Sequence, residues 1–210
     1  MRRRERSLWS LGGGPGSASY EVFDTARRRL NRRLAAYLHR RMAGRWTALP
    51  RSLEAGSGPG YCSSVLVDLK PDVHATLLDL DREPLSLAHE RDARLGRVEG
   101  DLYTLPFPDQ SFDLVFNSST MEHLGSFALA LAEMIRVTRD GGTIFVGVPY
   151  KYGPFAPFTW LPVTHGVSVW MGTLFTQADL RAACRAPGVV VEDSVRYFFG
   201  CFIGLFMVKE

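Results

Sequence analysis

Cysteine is scarce in this chain, and its three copies, Cys62, Cys184 and Cys201, stand far apart with no C-x-x-C pair. That spacing argues against a disulfide framework and against a structural zinc site, so a reducing, cytoplasmic setting and no bound metal are expected. Long hydrophobic runs are also missing. The longest apolar stretch, Tyr197 to Val208, holds two glycines, falls short of the ~20 residues that a membrane-spanning helix needs, and reads as a buried strand. An export signal is not expected: Arg2, Arg3, Arg4 and Arg6 imitate its charged start, but Gly, Pro and Ser occupy 12 to 17, where its apolar core belongs. There is no internal repeat, and 210 residues at 46% hydrophobic and 22% charged fit one globular domain with little room for a second.

What the chain does contain is unevenly spread. Residues 1 to 50 hold twelve arginines against three acids, a local +9 that leaves −6 over the remainder. A basic front of this kind suits a solvated helix face or contact with an anionic polymer, and the helix face is the preferred reading. Residues 1–19 are expected to be a flexible arm, since their Arg-rich and then Gly/Pro/Ser-rich composition buries too little apolar surface to offset chain entropy. Residues 20–210 are expected to form the domain proper. An amphipathic entry helix opens it at 20–44, where Leu30, Leu34, Tyr37, Leu38 and Met42 recur at helical spacing.

Strand-like and helical segments then alternate. Strands are expected at Arg51 to Glu54, Ala75 to Asp79, Arg97 to Gly100, Phe112 to Asn117 and Thr143 to Val148, with helices near 61 to 70, 84 to 94 and 124 to 138. After an aromatic, proline-interrupted stretch at 149–175 come a short helix from Gln177 to Ala186, capped by Thr176, and strands near Val189 to Asp193 and Cys201 to Val208. This βαβα rhythm predicts an α/β fold: a doubly wound, mostly parallel, seven-stranded, Rossmann-like sheet with helices on both faces.

In such sheets ligands sit at the carboxyl ends of the strands. The first strand runs into Glu54-Ala55-Gly56-Ser57-Gly58-Pro59-Gly60, a turn in which Gly56, Gly58 and Gly60, with Ser57, allow a ligand close to the backbone. A dinucleotide fingerprint needs its third glycine where this chain has Tyr61, so a nicotinamide cofactor is disfavoured. The second strand ends in Asp79, followed by Leu80. A carboxylate there, about 20 residues past the loop, can accept hydrogen bonds from both hydroxyls of a ribose. Asp81 reads as the cap of the next helix.

Next comes Gly100-Asp101-Leu102, then Leu105-Pro106-Phe107-Pro108-Asp109-Gln110-Ser111-Phe112-Asp113 and, further on, Glu122-His123-Leu124 and Gly141-Gly142. From Arg51 to Pro149 this order resembles the class I S-adenosylmethionine methyltransferases, in particular the type 11-like group that modifies small molecules. The resemblance implies S-adenosyl-L-methionine as cofactor. It also implies that Asp101 receives the adenine amino group, that Leu102 meets the ring, and that the loop from Asn117 flanks the methionine part. Leaving a buried amine unpaired costs on the order of 1 to 3 kcal/mol, so a carboxylate at Asp101 has a physical reason to be there. Glu54 either anchors the loop's amides or meets the ligand's ammonium through water. Asp109 and Asp113 read as solvated turn residues outside the site.

Methyl transfer from a sulfonium needs alignment more than it needs a protein nucleophile. A base helps only when the acceptor is a hydroxyl or a protonated amine, and the candidates are His123, just past the fourth strand, and His165, in the aromatic stretch. His39, His74 and His89 are expected on the surface. Residues 149–175 are read as a lid over a small, apolar or aromatic acceptor. Competing readings are an RNA or protein methyltransferase using the basic front, and a non-catalytic nucleoside-binding scaffold. Against nucleic acid, the fourth strand continues Asn117-Ser118-Ser119-Thr120 in place of an Asn-Pro-Pro-aromatic clamp, and no Pro-Cys nucleophile is present.

Overall fold

The computed structural model describes residues 18–154 and 172–210, with side chains from residue 25 onward except that of residue 26. The expected flexible arm at 1–19 therefore falls almost wholly outside the described residues, and so does most of the expected lid at 149–175.

Helix α1 (Ala18–Arg41) leads into β1 (Arg51–Ala55), α2 (Tyr61–Leu69), β2 (His74–Asp79), α3 (Arg82–Arg91), β3 (Gly96–Glu99) and β4 (Phe112–Ser118). A short 3-10 turn (Met121–His123), α4 (Phe127–Val137), β5 (Thr138–Pro149), α5 (Gln177–Ala183), β6 (Val189–Tyr197) and β7 (Phe202–Lys209) follow. The seven strands lie in the order β3-β2-β1-β4-β5-β7-β6, and β7 alone runs against its neighbours. The sheet is thus mostly parallel, as expected, with β1 in the middle between β2 and β4.

Both faces are covered, which is why the central strands read as unbroken apolar runs. Side chains alternate between two cores along each strand. Phe145 of β5 points into a cluster with Leu34 and Leu38 of α1, Leu66 of α2 and Phe206 of β7. Its neighbours Ile144, Val146 and Val148 point the other way, onto Met134 of α4 and Leu180 of α5. At roughly 25 cal/mol per Å² of apolar surface, burying such residues supplies the main favourable contribution to folding.

Helix ends follow local chemistry. Asp81 caps α3 by accepting from the Glu83 amide at 3.1 Å, and Ser126 caps α4 through the Leu129 amide. Thr176 and Asp179 form a reciprocal capping box at the start of α5. Strand β5 starts earlier than expected, at Thr138. It pairs with Phe112, makes an irregular excursion through Gly141 and Gly142, and resumes at Thr143 opposite Leu114. Strand β6 likewise continues past Asp193 to Tyr197, because β7 offers it partners as far as Phe202.

Asp113 departs from its expectation of solvent exposure. It is buried, accepts from Arg139 Nε at 2.7 Å and from the Arg51 amide at 2.8 Å, and so ties β1, β4 and β5 together at their amino ends. Asp109, by contrast, is exposed and pairs with Arg136. His39 is half-buried, with an Nδ1 that finds no partner among the described residues.

Candidate active site

The carboxyl edge of the sheet begins at the turn after β1. The amides of Gly56 and Ser57 both donate to the Leu78 carbonyl, at 2.7 and 2.9 Å, which fastens the turn to the end of β2. Gly56 and Gly60 have φ of +72° and +66°, in the left-handed region that glycine alone enters without strain. A methyl group at Gly60 would also come within 2.5 Å of Leu77 Cδ1, and one at Gly56 within 2.7 Å of Thr120 Cγ2. The close approaches that require glycine at these two positions are therefore to the protein's own side chains.

The two acids flanking the turn act on it directly. Glu54, buried on β1, accepts from the Ser63 amide at 3.0 Å and from the Ser63 hydroxyl at 2.6 Å. Gly60, the N-cap of α2, has no side chain to offer, so this carboxylate reaches across to satisfy the first turn of the helix, where negative charge is favoured. Burial pushes the Glu54 carboxyl up to about 7. Asp79, at the end of β2, accepts from the Gly58 amide at 2.7 Å through one oxygen and from the Asp81 amide at 3.0 Å through the other. Burial also raises its pKa, with those amides opposing the shift.

The ends of β2 and β3 are joined by a hydrogen bond from the Gly100 amide to the Asp79 carbonyl at 3.0 Å, so Asp101 follows one residue from that link. Asp101 is exposed and accepts from the Tyr103 amide at 2.9 Å, while Leu102 is buried in the core. Leu80 is 64% exposed beside Asp79. Ser57 is buried, its hydroxyl turned onto the Gly58 carbonyl at 3.0 Å.

The loop after β4 closes the other side of the turn. Asn117 is fully buried; its amide nitrogen donates to the Ala55 carbonyl and its oxygen accepts from the Met121 amide at 3.3 Å. The Thr120 hydroxyl donates to the Gly56 carbonyl at 2.9 Å. Both side chains clamp the two loops together.

Beyond them lies a group of polar residues that sequence reasoning had only touched. Ser119 holds φ +69°, costly for a residue with a Cβ. Its hydroxyl donates to Glu122 Oε1 at 2.8 Å, while Glu122 Oε2 is buried and meets no partner among the described residues. Burial lifts the Glu122 carboxyl to about 7. His123, with 41% of its side chain exposed, has Nε2 3.8 Å from Glu122 Oε1. Gly172 packs against both, since a methyl group there would lie 2.8 Å from His123 Nδ1 and 3.0 Å from Glu122 Cγ. Tyr197 arrives from β6, its hydroxyl 3.1 Å from Ser118 Oγ. The Glu-His pair was visible in the sequence. Its burial contrast, and the approach of Gly172 and Tyr197, were not. His165 lies outside the described residues. No group of three or more His, Cys, Asp or Glu side chains able to hold a metal ion occurs among the described residues.

A seven-stranded sheet in this order, a glycine turn after β1 and acids closing β2 and β3 define the class I S-adenosylmethionine-dependent methyltransferase fold. Residues 53–146 match the family described as "Methyltransferase domain", and in architecture the chain has the class I S-adenosylmethionine-dependent methyltransferase fold. It is 35% identical over 151 residues to a Mycolicibacterium smegmatis protein named as an S-adenosylmethionine-dependent methyltransferase, a match spanning 70% of this chain and 55% of that protein. It is 33% identical over 131 residues to the malonyl-[acyl-carrier protein] O-methyltransferase of Erwinia billingiae, spanning 62% of this chain and 49% of that one. The chain thus spans about half the length of these curated relatives. Among solved structures, a chain from the complex of the Haloferax volcanii Trm112 methyltransferase activator with a methyltransferase superposes with a TM-score of 0.71. That superposition covers 90% of this chain and 94% of the other at 20% identity, a likeness of fold alone.

Proposed function

We propose that this chain transfers a methyl group from S-adenosyl-L-methionine to a small molecule with an apolar or aromatic body. The observation that carries the reading is the engagement of Asp79 with the Gly58 amide at 2.7 Å. It puts a half-buried, hydrogen-bonded acid against a glycine turn at the carboxyl edge, within a segment that matches methyltransferase domains.

The residues present fit the cofactor. Asp79 offers carboxylate lone pairs to the ribose hydroxyls, with Leu80 beside it; Asp101 offers an acceptor to the adenine amino group, and Leu102 supplies apolar surface under the ring. Gly56, Ser57, Gly58 and Gly60 form the backbone wall. Glu54 and Asn117 contribute by holding that wall, because their polar atoms are engaged with Ser63, Ala55 and Met121. When bound, the cofactor supplies an activated methyl group on a sulfonium, and the protein's part is alignment and exclusion of water.

His123 is our candidate for taking a proton from a hydroxyl or ammonium acceptor, with His165 as the second candidate. Buried Glu122 lies behind His123, its Oε1 3.8 Å from Nε2, which is too long for a hydrogen bond. Cys62, Cys184 and Cys201 are buried and form no disulfide, which accords with a cytoplasmic location. No helix among the described residues is long and apolar enough to cross a membrane.

The test is to purify the protein and identify co-purifying ligands by mass spectrometry, then to titrate it with S-adenosylhomocysteine. Binding that weakens in Asp79→Asn supports the assignment. A co-purifying nicotinamide would reject it.

A further inference from the structure

The arginines of α1 divide into two sets. Toward its carboxyl end, Arg41 and the following Arg45 pair with Glu192 at 3.1 and 2.9 Å, which docks the helix on β6, and Tyr37 donates to Asp193 at 3.0 Å. Arg32 and Arg33, more than two turns earlier, and Arg40, next to Arg41, meet no carboxylate within ion-pair distance among the described residues. Arg196 on β6 is engaged elsewhere: its guanidinium lies 5.1 Å from the Tyr150 ring centre, on the sheet face away from α1.

Arg32, Arg33 and Arg40 wall a cavity of about 470 Å³ whose remaining lining includes Tyr197, Phe199 and, from β6, Arg196. None of the glycine-turn residues borders it. Its aromatic side is held in an unusual backbone: Phe198 and Phe199 have φ of +49° and +56°, each costing on the order of 1 kcal/mol or more relative to right-handed backbone. Phe198 is fixed there between the rings of Tyr197 and Phe202, at 4.8 and 5.2 Å between centroids. Phe199 is left 71% exposed at the rim, with the Arg33 guanidinium 5.3 Å from its ring centre. Three exposed guanidinium groups with no carboxylate partner among the described residues, beside an exposed aromatic ring, raise a positive potential that an anion relieves. The planar guanidinium fork matches phosphate oxygens in pairs.

Position links the cavity to the methyl-transfer edge. Tyr197 pairs with Phe202, which pairs in turn with Pro149 at the carboxyl end of β5. The Tyr197 hydroxyl reaches Ser118, which adjoins the Ser119–Glu122 group. One phenol ring therefore separates the arginine-lined cavity from the half of the edge that the cofactor residues leave open.

We propose that this cavity binds the phosphate of a small amphiphile, a phosphate group joined to an apolar or aromatic body, and that the methyl acceptor belongs to this class. The proposal rests on the methyltransferase reading for the second clause only. The ring of the amphiphile packs on Phe199 while its phosphate takes Arg32, Arg33 and Arg40.

The test is calorimetric titration of the whole protein with 1-naphthyl phosphate, 1-naphthol, inorganic pyrophosphate and a short RNA oligonucleotide, with S-adenosylhomocysteine titrated in parallel. The expected result is binding of 1-naphthyl phosphate at least tenfold tighter than 1-naphthol or pyrophosphate, lost at least tenfold in Arg33→Ala/Arg40→Ala and largely kept in Arg33→Lys/Arg40→Lys. Both double variants are expected to bind S-adenosylhomocysteine unchanged, which also shows them folded. Equal binding of the phosphate and the alcohol, or an alanine variant indistinguishable from the parent, overturns the proposal. Pyrophosphate binding as tightly as 1-naphthyl phosphate reduces the cavity to a site for free anions. RNA binding lost in the alanine variant while 1-naphthyl phosphate fails to bind reassigns the arginines to a nucleic-acid surface. Failure of S-adenosylhomocysteine alone defeats the methyltransferase reading and leaves the phosphate site standing.

Discussion

The two halves of the carboxyl edge are built on opposite terms. On the side of β1, β2 and β3, polar groups are answered within the chain: Glu54 by Ser63, Asp79 by Gly58 and Asp81, Asp101 by Tyr103. On the side of β4, β5 and the β6–β7 connection, polar groups are left wanting: among the described residues Glu122 Oε2 meets no partner and Arg32, Arg33 and Arg40 line a cavity without a carboxylate, while Ser119 sits in left-handed backbone. Satisfied networks hold one geometry and suit a fixed cofactor. Unmet charge and strain persist only where surrounding structure imposes them, and they concentrate where a ligand completes the site.

Four substitutions sharpen or break that contrast. The largest effect is expected at Gly60→Ala, which combines left-handed backbone with a 2.5 Å approach to Leu77. A loss of about 3 kcal/mol in unfolding free energy by urea titration is the expected outcome, and a loss below ~1 kcal/mol would mean the turn is not rigid. His123→Ala comes next, with kcat lowered about 100-fold and S-adenosylhomocysteine affinity unchanged; an equal fall in affinity would move His123 to the cofactor half. Asp79→Asn keeps the shape and removes the charge, and is expected to weaken S-adenosylhomocysteine about tenfold while the melting temperature changes little.

The smallest effect, and the most informative about the unmet half, concerns Glu122. Its carboxyl is raised to about 7 in the folded protein from an ordinary 4.5. The native state therefore holds a proton that the unfolded chain has released, and stability falls as pH rises between those values, by about 1.4 kcal/mol per pH unit for one group. Glu54 contributes a second slope of the same sign. Glu122→Gln is expected to remove roughly half of the combined slope when unfolding is followed from pH 5 to 7. An unaltered slope would show that water reaches Glu122.

Much of the first half was legible in the sequence, because strand ends announce themselves. Gly56 to Gly60 follow a buried strand, Asp79 closes the next, Asp101 the third, and Asp81 lies two positions from the amide it caps. The second half was not, because its relations span long separations. Nothing near Glu122 in sequence shows that Gly172 will cover it, or that Tyr197 will reach Ser118. Asp113 was misread for the same reason: its partner Arg139 lies across a sheet pairing. The early start of β5 was hidden by two glycines that look like a loop.

The central claim is that the satisfied half is a site for S-adenosyl nucleosides. Isothermal titration of the full chain with S-adenosylhomocysteine and, separately, with NADH tests it most directly. One-to-one binding of S-adenosylhomocysteine and no heat from NADH is the predicted result. Binding of NADH, or a folded protein that takes up neither, would contradict it.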